Sequence, residues 1–102
     1  MPKDYVINHF TKNTKDITKC YNALMDATTP NDVYANAFCY LCYRSLEHNF
    51  SSEFLLDRVE DVMNKINNIE DIQTKHRWRS SVLIAIAYVL IKFKYEDVSI
   101  DN

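Results

Sequence analysis

Cys39-Tyr40-Leu41-Cys42 sets two thiols one helical turn apart, the spacing from which metal sites and dithiol redox centres are built. A tetrahedral metal needs two further ligands, and the chain offers His9, Cys20 and His48 only singly, with no second paired motif. Three cysteines, an odd count, also argue against a disulfide framework. The thiols are therefore read as reduced side chains packed as small apolar groups, with no metal and no cofactor. For catalysis, His9, His48 and His76 fall on separate predicted elements, and Arg44, Glu47 and His48 form a polar cluster on one helix face whose spacing alone does not make a site. No enzyme is expected.

Two further groups are suited to binding. Lys75-His76-Arg77-Trp78-Arg79 is the densest: arginines beside an indole hold phosphates or pack on a protein surface, and Trp and Arg are enriched where proteins meet. On a helix residues 77, 78 and 79 point about 100° apart, so one flat surface cannot use all three equally. The other group is aromatic. Tyr34, Phe38, Tyr40 and Tyr43 ring one predicted helix, and tyrosine suits core edges and interfaces alike. Arg77, Trp78, Arg79, Tyr34, Tyr40 and Tyr43 are thus the expected contacts with a partner.

The elements that must position these residues are constrained by what the chain lacks. Its 102 residues contain two prolines and no glycine. Primed hairpin turns, dinucleotide-binding loops and phosphate-cradling loops depend on glycine for positive φ or close backbone approach, and all are disfavoured here. Hydrophobic spacing instead predicts a single domain, residues 1–102: an all-α, compact bundle of four to five helices at about 3–12, 14–27, 30–48, 52–66 and 69–94.

Each break has its own device. Thr29-Pro30 predicts an N-cap and first helical position, with Asp32 in the first turn facing the positive helix end. Ser51 can cap the fourth helix, and Asn67-Asn68 supplies the left-handed stop that glycine usually provides. In the last helix, Val82 to Ile91 is apolar all round. Ten residues are too few to span a bilayer and Lys92 and Lys94 follow, so this hydrophobic C-terminal segment is predicted as the buried centre of the bundle rather than a membrane element.

Charge is segregated. Between Glu47 and Asp71 seven acidic residues face two basic ones, a balance of −5, while Lys75 to Lys94 holds five basic residues and no acid. An antiparallel hairpin of the last two helices would let them complement each other. The formal net charge of −2 argues against a surface built wholly for nucleic acid. Met1-Pro2-Lys3-Asp4 has no secretory pattern, so a cytoplasmic chain is expected. The bias toward Asn, Lys, Ile and Tyr matches what AT-rich genes encode, as in phages, mobile elements and large DNA viruses. The expectation is a small non-enzymatic accessory protein, of inhibitor, immunity or adaptor type, that occludes a surface on a larger protein partner. Self-association as a homodimer is compatible with it. The alternative is nucleic-acid or nucleotide binding through the basic stripe of the last helix.

Overall fold

The structure is a computed structural model that describes residues 15–48 and 51–101, with side chains within 17–45 and 51–95. These residues form five helices: α1 (Lys15–Met25), α2 (Asn31–His48), α3 (Ser52–Leu56), α4 (Val59–Asn67) and α5 (Ile72–Asp101). There is no strand among them, so the fold is an all-α bundle. The predicted helix over 3–12 lies outside the described residues.

The centre of the bundle is α2, not the segment from Val82 to Ile91. Every residue from Tyr34 to Tyr43 is buried, and α2 packs against α1, α3, α4 and α5. Its apolar groups are distributed around the whole helix, as burial on every side requires. In contrast, α5 presents Ser81, Val82, Ala85 and Val89 to the core and leaves Leu83, Ile84, Leu90 and Ile91 exposed. The predicted all-round burial of α5 is therefore wrong. The small residues on its inner face let its backbone come close to α2, which leaves the larger side chains outside.

The turns close without glycine by recruiting side chains and tight backbone hydrogen bonds. Between α1 and α2, the Asp26 carboxylate accepts the Thr28 amide at 2.9 Å and the Thr28 hydroxyl at 2.7 Å. Thr29 does not cap α2 as predicted. Its hydroxyl reaches back to donate to the Ala23 carbonyl at 2.7 Å, so it serves the end of α1, while Asp32 Oδ1 accepts the Val33 amide. Pro30 sits just before α2 and its carbonyl receives the Tyr34 amide. Lys65 crosses from α4 to donate to the Ala27 and Thr29 carbonyls at 2.9 and 2.6 Å, tying the α1–α2 turn to α4.

The predicted helix over 52–66 is two helices. Ser51 does cap it, accepting the Phe54 amide, but the chain breaks at Asp57-Arg58. There the Arg58 amide donates to the Leu55 carbonyl, a short i−3 bond, and the Arg58 guanidinium donates to the Phe54 carbonyl at 2.9 Å. The same guanidinium lies 3.7 Å from the centre of the Phe54 ring, which stacks on Tyr21. A side chain thus satisfies the carbonyl that the break would strand.

Asn67-Asn68 does end α4, though not by the left-handed conformation predicted. Asn68 has φ −86° and ψ −2°, and the stop is made by the Asn68 amide on the Asn64 and Lys65 carbonyls and the Ile69 amide on Ile66. The last helix starts at Ile72 rather than 69, because Asp71 caps it: its carboxylate accepts the Thr74 amide and hydroxyl. It then continues past Lys94 to Asp101.

Central burial of α2 has a measurable consequence. Phe38→Ala, which empties a fully buried site, is expected to cost about 3–5 kcal/mol in denaturant unfolding. Val33→Ala in the exposed first turn of α2 should cost under about 1 kcal/mol.

Candidate functional site

The six residues expected to contact a partner do not form one surface. Tyr34, Tyr40 and Tyr43 are buried in α2, so their rings cannot meet a partner. The reason is that α2 is covered on all sides by α1, α3, α4 and α5, which leaves its tyrosines neither at a core edge nor at an interface. Tyr43 packs edge-on against Tyr88 of α5, with ring centres 5.7 Å apart. Arg44 lies 5.6 Å from the centre of the Tyr40 ring.

On α5 the three neighbours diverge, as their 100° steps require. Arg77 is exposed, Trp78 is partly buried and packs against the core, and Arg79 donates to Asn67 Oδ1 at 2.9 Å. Lys92, another member of the basic stripe, donates to the Ser45 carbonyl. Two of the five cations between residues 75 and 94 therefore hold the bundle together. Arg79 and Lys92, like Arg58 and Lys65, donate to neutral oxygens.

The thiols are placed for packing. Cys39 and Cys42 lie fully buried within α2 and Cys20 is buried on α1. Burial pushes the Cys39 thiol up to about 12 and raises Cys42 well above its ordinary value, so neither is a thiolate near neutral pH. Among the described residues no group of three His, Cys, Asp or Glu side chains can hold a metal ion. His76 is exposed on α5, whereas His9 and the side chains of Glu47 and His48 lie outside the described residues.

One open cleft of about 350 Å³ lies where α1, α2 and α4 meet, lined by Met25, Asn31, Tyr34, Asp61, Asn64 and Lys65 among others. Its cation is already engaged, since the Lys65 ammonium is held by the two turn carbonyls. The Tyr34 hydroxyl is buried, and burial together with the nearby Asp61 charge raises its pKa. The Tyr34 hydroxyl therefore keeps its proton and is no ready nucleophile.

The chain was compared with known protein families, curated proteins and solved structures. It matches none of them.

What remains distinctive is the outer face of α5. Leu83, Ile84, Leu90 and Ile91 are 53%, 51%, 49% and 58% exposed, and Ala87 lies exposed between them. Sequence reasoning assigned these residues to the core. The signal that separates them is the stripe His76, Ser80, Leu83, Ala87, Leu90, Lys94, whose polar ends mark the side that meets water. No helix among the described residues is long and apolar enough to cross a membrane.

The buried acids set the alkaline limit of the fold. Cys39 and Tyr43 are raised to about 12 from ordinary values of 9.0 and 10.0. Between those values the unfolded chain has released protons that the folded chain keeps, so stability is full below about pH 9 and falls as pH rises toward 12. Denaturant midpoints measured from pH 7 to 11 should stay level to pH 9 and then decline, and the thiols should resist alkylation until the chain unfolds.

Proposed function

We propose that this chain is a non-enzymatic protein-docking module that works by covering an apolar surface of its partner with the outer face of α5. The observation that carries the reading is the row Leu83, Ile84, Leu90 and Ile91, each about half exposed on a helix whose opposite side is locked to the core. Monomeric proteins rarely leave a row of large aliphatic side chains together in water, because its burial is worth about 25 cal/mol per Å². The inhibitor and adaptor roles expected from the sequence are ways of using such a face. Two supports come from elsewhere in the molecule: the buried thiols hold their protons, and the glycine-free turns are closed by their own side chains.

Nucleic-acid binding through the basic stripe makes a contrasting demand. It needs the cations clustered and turned outward, and Arg79 and Lys92 are engaged with neighbouring helices. A photo-crosslinking residue placed at position 87, in the middle of the face, discriminates the two. It should yield a polypeptide adduct in the native host that survives nuclease and roughly 300 mM salt, while the same residue at exposed Glu60 of α4 should not. An adduct lost to nuclease would move the assignment to nucleic acid, and no adduct at position 87 would sink the docking reading.

A further inference from the structure

The partner's chemistry can be read from the face itself. Leu83, Ile84, Leu90, Ile91 and Tyr95 on α5 are between 49% and 71% exposed. Together with Ala87 they offer on the order of 450 Å² of apolar surface, within the range of the largest patch a monomer keeps wet. With a polar rim this approaches the ~800 Å² that each protein contributes to an interface of standard size.

The face is also self-complementary. The smallest residue on it, Ala87, lies midway between the two aliphatic pairs. If a second α5 is laid antiparallel on the first with Ala87 against Ala87, Leu83 falls opposite Ile91 and Ile84 opposite Leu90. That arrangement is a two-fold interface in which every contact occurs twice. Alanine at the crossing point lets the two backbones approach at the close end of the usual 8–10 Å separation of helix axes.

Charge along the helix selects the same direction. The first turns of α5 carry Lys75, Arg77 and Arg79, and its last turns carry Glu96, Asp97 and Asp101. The antiparallel arrangement brings the basic end of each copy level with the acidic end of the other, position 77 with position 97. A parallel arrangement would set like charge beside like.

Resting on the docking assignment of this face, we infer that its occupant is a second copy of this chain, paired antiparallel through α5 about Ala87. Sedimentation equilibrium of the full chain should give a dimer at micromolar concentration. Leu83→Glu and Ile91→Lys should each weaken self-association by roughly a hundredfold or more while helicity is retained. Mixing the two variants should restore pairing, because the carboxylate introduced in one copy then meets the ammonium introduced in the other and the remaining pair is native.

Cysteine cross-linking fixes the register. The native cysteines are buried. Ala87→Cys alone should oxidise to a linked dimer. Leu83→Cys alone should not, but should link when mixed with Ile91→Cys. A chain that stays monomeric at ~100 μM overturns the inference, as does a Leu83→Cys self-link, which would mean parallel pairing. If the chain is monomeric and the position-87 cross-linker still captures a different polypeptide, the docking assignment stands and the second copy is excluded. If nothing is captured, both fall.

Discussion

Complete burial of α2 is the constraint on which the rest of this structure depends. Every residue from Tyr34 to Tyr43 is excluded from water, so four helices have to be arranged around one, and each must present an apolar face to it. A chain of this length can bury only about two thirds of its unfolded surface, so committing a whole helix to the centre leaves less covering material for the others. Such is the position of α5. Its inner residues, Ser81, Val82, Ala85 and Val89, complete the enclosure of α2, and nothing among the described residues is left to cover its outer side.

The absence of glycine acts on the connections between these helices. Without left-handed residues, the last carbonyls of the helices and the carbonyls of the turns have to be satisfied by other means, and three basic side chains contribute. Lys65 takes the Ala27 and Thr29 carbonyls, Arg58 takes Phe54, and Lys92 takes Ser45. Each is a charge-assisted bond to a neutral oxygen, stronger than a neutral pair and free of the need to desolvate a carboxylate. Cations that looked from the sequence like binding groups or ion-pair partners are thus structural clamps.

Helix type and most punctuation could be read from the sequence, because capping chemistry is local. Ser51 at the start of α3, the break after Asn67 and the start of α2 behind Pro30 all follow from neighbours within one turn. What could not be read depends on contacts distant in sequence. The break at Asp57-Arg58 carries neither proline nor glycine and rests on what the Arg58 guanidinium finds. The burial of α2 was hidden by its composition: tyrosine, cysteine, alanine and asparagine score as less apolar than the isoleucine and leucine of α5. In space a tyrosine ring buries as much apolar surface as either aliphatic side chain. Hydropathy therefore ranked the two helices in the wrong order, and the candidate contact surface moved from the tyrosines of α2 to the aliphatic residues of α5.

Having two apolar sides sets α5 a problem that an ordinary amphipathic helix does not face. Rotated by half a turn about its axis, it would still present aliphatic side chains to α2, so hydrophobic burial alone does not fix which side faces in. The rotation is set by size and by polar clamps. Ser81 and Ala85 are small and buried on the inner side, and side chains the size of Leu83 or Ile91 in their place would force the packed helices apart. Lys92 with Tyr88 engages α2 along one shoulder of α5, and Arg79 reaches Asn67 of α4 along the other. A half-turn would break both sets of contacts at once. The residues that hold α5 in place are consequently the tryptophan-flanking arginine and the lysine first noticed as binding groups, and it is their grip on the bundle that turns Leu83, Ala87 and Ile91 outward.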